Sequence, residues 1–386
     1  MFKNWKGFWV VITVTLLGMF GLIMILSKMD NQTVPKANST APIKKSVPIK
    51  KPSDTSVPKK TVQQTNQSVT FLAVGDILIH DRVYKVAKEG KTYNFDPMLQ
   101  AVSPYIQKAD LAVANSESMI GGEAIGLSSY PSFNSPYELG NAVKKAGFDI
   151  VTMANNHALD RGPKAASNAV HYWDHLNIVH TGVFLSKKDQ STIRVVSKKG
   201  IRFAFLAYTY GTNGIPTPKG KPYLVNRINL PQMKRDIARA KKQADVVVVS
   251  LHFGIEYQHE PNAEQTKLVK QLANEGVDVI LGSHPHVLQP YQWVSGEKGH
   301  KTFVVYSLGN FLSGQVGLDE QIGGMLELTF NKATKKGNSN VTITHPTFIP
   351  TYCEPKTYQV VPLSQADLPH AKTVYKKTLD HMEEKE

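Results

Sequence analysis

One pattern, met repeatedly along the chain, restricts its possible folds more than any other feature. Lys108-Ala109-Asp110 leads into LAVA and then Asn115-Ser116-Glu117, and Gly147-Phe148-Asp149 leads into IVTMA and then Asn155-Asn156-His157. Ala244-Asp245 leads into VVVVS and then His252, and Val277-Asp278 leads into VIL, Gly282-Ser283 and then His284-Pro285-His286. Unbroken apolar runs of four or five residues read as strands buried on both faces, which in α/β proteins are parallel strands covered by helices. Ligands of such folds bind beyond the carboxyl ends of the strands, where these polar residues fall. Thr70 to Gly75 followed by Asp76 makes a fifth unit. The pattern predicts Asp, Asn, Glu and His side chains converging on one rim.

The pattern occupies residues 69–386, which we assign to one α/β domain. Helices are expected at about 96–107, 162–176, 230–243 and 262–275, each feeding an apolar strand. Ser135-Pro136-Tyr137-Glu138 has the form of a capping box with Pro at the first helical position, so another helix should run to about Ala146. Arg202 to Tyr210 and Thr302 to Ser307 read as further strands. Gly323 to Phe330 and Val341 to Phe348 alternate in polarity and are expected to be antiparallel, at an edge or in a second sheet. The tail from Ser364 reads as a charged, peripheral helix.

Ahead of this domain, Gly7 to Leu26 runs twenty residues without a charge, between Lys6 and Lys28. At 1.5 Å per residue that length matches a hydrocarbon core of about 30 Å. Residues 1–26 are therefore expected to be an uncleaved, single-pass membrane anchor; a cleaved signal peptide is the alternative. Residues 27–68 hold almost no large apolar side chain and carry a degenerate Pro-Ile-Lys-Lys repeat at 42–45 and 48–51, so they read as an extended, disordered linker. Residues 1–68 contain ten Lys and two Asp, eight of the chain's fourteen net positive charges. The basic excess lies in the tether, which excludes a nucleic-acid reading of the domain. The tether is either a solvated spacer or a holder of anionic polymer or lipid headgroups. A spacer of this kind suggests a bacterial cell wall, with the amino terminus cytoplasmic and the domain outside the cell.

Cys353 is the sole cysteine, so a thiolate metal site and an intrachain disulfide are excluded. The candidate metal ligands are Asp76, Glu117, Asn156, His252, His284 and His286. That mixture of imidazole nitrogen with carboxylate and carboxamide oxygen suits Mn, Zn or Fe better than Ca. His157 precedes Asp160 by three residues, a spacing that lets the carboxylate orient the ring and makes His157 a candidate general acid or base. Its alternative role is to cap the following helix. Asn115, Glu256 and Asn310 are candidate substrate-binding residues; Glu256 could equally support the metal site, and Asn310 could be a turn residue.

Gly75-Asp76, Asn115-x-Glu117, Asn155-Asn156-His157-x-x-Asp160-x-Gly162, His252-x-Gly254-x-Glu256-Tyr257, His284-Pro285-His286-Val287 and Ser307-Leu308-Gly309-Asn310-Phe311 together resemble the motif series of the bacterial CapA/PgsA capsule-biosynthesis family. The resemblance covers about residues 69–330. That family is similar in turn to calcineurin-like metallophosphatases, which implies a layered α/β sandwich preceded here by one transmembrane helix. This chain departs from the phosphatase pattern: Leu78 stands where a His is expected, His80 lies two residues on, and Asn115-Ser116-Glu117 replaces a carboxylate motif. The resemblance implies a membrane component that makes or exports poly-γ-glutamate beside synthase-complex subunits and touches the polyanion. The alternative is an extracellular metal-dependent hydrolase of a phosphoester or of the polymer's amide. No GxxxxGK[ST] occurs, so the chain carries no phosphate-binding loop of that kind.

Overall fold

A computed structural model of the chain describes residues 65–335 and 338–383. The expected membrane anchor and most of the linker lie outside the described residues. Among the described residues no helix is long and apolar enough to cross a membrane.

The chain opens with β1 (Thr65–Leu78), a small hairpin of β2 (Lys88–Glu89) and β3 (Thr92–Tyr93), then β4 (Leu111–Ser116), β5 (Ile150–Thr152) and β6 (Val179–Thr181). It continues into β7 (Arg194–Lys198), β8 (Ile201–Thr209), β9 (Val246–His252), β10 (Val279–Ser283), β11 (Leu288–Ser295) and β12 (Lys301–Leu308). The last strands are β13 (Asn310–Ser313), β14 (Ile322–Lys335), β15 (Asn338–Cys353) and β16 (Val360–Pro362). One sheet has the order β16-β15-β14-β1-β4-β5-β6, with β13 beside the end of β1. The other has the order β11-β12-β10-β9-β8-β7. β1, β4, β5 and β6 are mutually parallel, as are β8, β9, β10 and β12.

Side-chain alternation divides each strand between two layers. On β1, Val69, Phe71 and Ala73 face the space between the sheets, while Leu72 and Val74 face the helices. On β9, Val246 and Val248 point between the sheets, and Val247, Val249 and Leu251 point toward the other helical layer. The four layers are therefore helix, sheet, sheet, helix, as the apolar runs demanded. Aromatic rings fill the centre. Phe71 stacks on Phe203 and Phe205 at 6.4 Å and meets Phe330 edge-on at 5.8 Å. Each such buried ring contributes roughly 2–3 kcal/mol from area alone.

The helices Gly162–His175, Leu230–Lys241 and Ala263–Asn274 form at the expected places. The expected 96–107 helix is broken into Asp96–Leu99 and Ser103–Lys108, each with a proline in its first turn. A proline has no N–H to continue the preceding turn, so the chain restarts there. The capping box at Ser135 does not form. The helix starts at Glu138, and the Ser135 hydroxyl instead donates to Ser118 Oγ at 3.0 Å. Thr65 to Ser68, assigned by composition to the linker, already pair with β14. β14 lies antiparallel to β1 inside the first sheet, and β15 lies beyond it. The tail helix Ala371–Met382 is not merely peripheral, because Met382 is fully buried and Val374, Tyr375 and Leu379 pack on the inter-sheet core.

Candidate metal centre

The carboxyl ends of strands from both sheets meet, and glycines allow close backbone approach there, Gly75 against the β12–β13 junction and Gly282 between β10 and β12 within the second sheet. A Cβ on Gly75 would lie 1.9 Å from the Gly309 carbonyl, and one on Gly282 would lie 1.9 Å from the Tyr306 carbonyl. Only a residue without a side chain lets these backbones approach so closely. The register between β1 and β4 shifts between Ala73 and Asp76, and Asp76 emerges opposite Asn115. Asn115 Nδ2 donates to Asp76 Oδ1 at 2.8 Å, and Asn115 Oδ1 accepts from Thr152 Oγ1 at 3.2 Å. Thr152 in turn accepts from Ser250 Oγ at 3.3 Å. This relay of buried groups runs from β9 in one sheet to Asp76 in the other and sets the direction of its carboxylate.

Five of the six expected ligands form two overlapping groups. Asp76, Glu117 and His252 offer ligand atoms within 4.8 Å of one another, and so do Glu117, His284 and His286. Glu117 belongs to both, a position from which one carboxylate can bridge two ions. Its Oε1 lies 3.5 Å from His252 Nε2 and 3.7 Å from His286 Nε2. The sixth residue, Asn156, is adjacent: its Oδ1 is 2.8 Å from His252 Nε2. His252 Nδ1 meets Ser283 Oγ at 2.9 Å. His284 and His286 both have left-handed backbone, with φ of 100° and 60°. Such a conformation in a residue with a side chain costs on the order of 1–3 kcal/mol, and it aims both rings at the pocket.

The electrostatics follow from burial. Burial lowers His284 to about 4 and His286 to about 3, and takes His252 well below the usual imidazole range. All three rings are therefore neutral at pH 7, the form that offers a lone pair. Burial pushes Asp76 up to about 6 and Glu117 well above the ordinary carboxyl range, and the neighbouring Asp76 charge pushes Glu117 in the same direction. Apart from the Asp76 carboxyl beside it, Glu117 has no hydrogen-bond partner among the described residues, and His284 Nδ1 has none. An unpaired buried polar atom costs about 1–3 kcal/mol, so these groups at one spot call for a ligand that pairs with them. A divalent cation supplies that pairing, and the donor set of three imidazoles and two carboxylates fits one.

Beside the cluster lies a cleft of about 300 Å³, lined among others by His80, Arg82, Tyr130, His157, Glu256 and His286. His157 Nδ1 is 2.7 Å from Asp160 Oδ2, which also accepts the Phe133 amide at 2.8 Å. A carboxylate at Nδ1 holds the proton there and leaves Nε2 as the working nitrogen. Glu256 is exposed on the cleft wall, where a substrate group can reach it. Asn115 and Asn310, expected to bind substrate, do not reach it. Asn115 is spent on Asp76 and Thr152, as above. Asn310 is 1% exposed, with Oδ1 on His286 Nδ1 at 3.0 Å and Nδ2 donating to Gln315 Oε1 and the Glu320 carbonyl, both at 2.9 Å. Both carboxamides, at the ends of β4 and β13, bond to candidate ligands, Asn115 to Asp76 and Asn310 to His286.

Other neighbours were not singled out from the sequence. The Tyr210 ring lies 4.7 Å from His284, and His80 meets Phe133 edge-on at 5.0 Å, with His157 on that ring at 4.7 Å. Tyr210 ends a recognisable strand, so the strand-end rule applied to β8 would have found it. Thr152 and Ser250 lie inside apolar strands and carry no such signal.

The sequence profile of the family described as "Bacterial capsule synthesis protein PGA_cap" matches residues 70–315, more than half of the chain. A protein of Bacillus anthracis named "Capsule biosynthesis protein CapA" is 30% identical over 261 residues, 65% of this chain and 61% of that protein. "PGA biosynthesis protein CapA" of Bacillus subtilis strain 168 is 31% identical over 270 residues, 66% of each chain. The chain thus spans slightly less than two thirds of the length of these curated relatives. Among solved structures, the calcineurin-like phosphoesterase YfkN of Bacillus subtilis superposes with a TM-score of 0.43 at 14% identity, covering 82% of this chain and 97% of that one.

Proposed function

The chain belongs to the family of bacterial capsule synthesis proteins, and from that membership we propose that it serves the making or export of poly-γ-glutamate, with its strand-end pocket acting as a metal-dependent hydrolytic site. The observation that carries the hydrolytic part is Glu117: a fully buried carboxyl set against the Asp76 carboxyl, with no cationic or donor side chain of its own among the described residues, and shared by two sets of three side chains able to hold a metal. A pure scaffold has no use for so costly a group. The substrate bond is either the γ-amide of the polymer or a phosphoester. The apolar 7–26 segment supports a single-pass membrane anchor with the domain outside the cell. The lysine-rich tether supports contact with an emerging polyanion and with membrane synthase subunits, and no nucleic acid is involved.

Asp76, Glu117, Asn156, His252, His284 and His286 would hold one or two divalent cations, of Mn, Zn or Fe type. When bound, such ions supply Lewis acidity and a nucleophilic water near neutral pH. The neutral imidazoles bind without first losing a proton, whereas Glu117 must lose one, so metal affinity should rise with pH. His157, protonated at Nε2 and steadied by Asp160, would give a proton to the departing nitrogen or oxygen. Glu256 and Arg82 on the cleft walls would orient polar groups flanking the reacting bond.

The test is elemental analysis of the full-length protein, joined to turnover assays on poly-γ-glutamate and a panel of phosphoesters. We expect bound transition metal, hydrolysis abolished by chelation, and a loss of about 10²–10⁴ in rate for His157→Gln with metal content unchanged. Protein that holds no metal and is indifferent to chelators would refute the hydrolytic part and leave only a structural role in capsule assembly.

A further inference from the structure

The orientation of one amide decides which nitrogen of His286 carries the proton and which keeps its lone pair. Asn310 Nδ2 lies 2.9 Å from the Glu320 main-chain carbonyl, an oxygen that can only accept, so the NH₂ end of the carboxamide must point there. Its Oδ1 is thereby turned to His286 Nδ1 at 3.0 Å, where an acceptor requires that Nδ1 carry the proton. The lone pair is left on Nε2, which is the nitrogen 3.7 Å from Glu117 Oε1. The same NH₂ also donates to Gln315 Oε1 at 2.9 Å, and Gln315 Nε2 reaches Tyr257 Oη at 3.4 Å. Gln315 and Tyr257 line the substrate cleft.

We propose that Asn310 is a positioning residue, locked by the Glu320 carbonyl and by Gln315, that holds His286 in the single tautomer able to bind a metal through Nε2 and ties that ligand to the wall of the cleft. The effect on metal rests on the hydrolytic reading above; the tautomer does not.

Two measurements on the full-length chain separate them. The first is ¹⁵N NMR of histidine-labelled, metal-free protein, with the His286 signal assigned by its loss in His286→Gln. We expect an Nδ1–H ring in the native chain and a mixture of tautomers in Asn310→Ala. A native His286 protonated at Nε2 overturns the proposal whether or not the protein binds metal. The second is calorimetric titration with Mn²⁺ and Zn²⁺. Asn310→Ala should weaken binding about 10- to 100-fold, whereas Asn310→Asp, which keeps an acceptor at Nδ1, should recover most of it. Gln315→Ala, on the exposed end of the bracket, should weaken binding by a smaller factor and serves if Asn310→Ala does not fold. Native affinity in Asn310→Ala, or in Gln315→Ala where that variant stands in, overturns the proposal.

Discussion

The strands that hold the candidate metal centre also build the inter-sheet core, and the two regions stand in contrast. In the core, Phe71, Phe203, Phe205 and Phe330 pack ring against ring with no polar atom among their side chains. At the carboxyl ends of those strands, Asp76, Glu117, His252, His284 and His286 are buried as deeply, yet they carry unpaired polar atoms and two left-handed histidines. On β9 the change from Val248 to His252 takes four residues. Burial stabilises the first region and strains the second, so the core sustains a pocket that would not be stable by itself. A site arranged in this way is preorganised for a cation at the expense of the cation-free fold.

That contrast can be broken at either end. Phe71→Ala should lower the unfolding free energy by about 3–5 kcal/mol, read in chemical denaturation. Metal affinity of the folded fraction should hardly change, because no atom of Phe71 belongs to the pocket. Glu117→Gln should do the reverse: metal binding is lost, while metal-free stability moves by less than about 1 kcal/mol, since a neutral amide replaces a carboxyl whose charged form burial and the Asp76 charge already disfavour. Equal destabilisation by the two variants would show that the pocket supports the fold as much as the core does.

A further effect is that of pH on metal-free protein. His80 and His284 are lowered to about 4 and His286 to about 3 by burial. The folded chain keeps these rings neutral while the unfolded chain takes up protons below about 6.5, so their stabilisation is complete above that pH and is lost on acidification toward 4. Asp76, raised to about 6, acts oppositely, favouring the folded state as pH falls from 6 to 3.8. The imidazoles outnumber the carboxyls, so the melting temperature should fall between pH 6.5 and 4. The double variant His284→Gln, His286→Gln should flatten the curve; an unchanged slope would place the titrating groups outside the pocket.

Much of the architecture was legible in advance because burial on both faces leaves a simple mark: runs such as Val246 to Val249 admit few alternatives to a parallel strand between helical layers. The gathering of Asp76, Glu117, His252, His284 and His286 was legible for the same reason, since a strand that emerges from the core puts its next polar residue at the sheet's rim. The expected 96–107 helix breaks in two because Pro97 and Pro104 lack the N–H that would continue the preceding turn. That the side chains of Asn115 and Asn310 bond to Asp76 and His286 was not legible, because a carboxamide has two functional ends and which partners they meet depends on residues far away in sequence.

Composition and patterning along the chain thus specify the fold class, the rim, and the residue types gathered there, because these depend on burial and on period, which are local in sequence. Whether Glu117 is shared by two groups, which nitrogen of His286 is free, and that Ser250 steadies Asp76 from the opposite sheet depend on contacts between residues tens to hundreds of positions apart. Directional bonds of that kind exist only once the two sheets have closed on each other, and so they were decided by the tertiary structure alone.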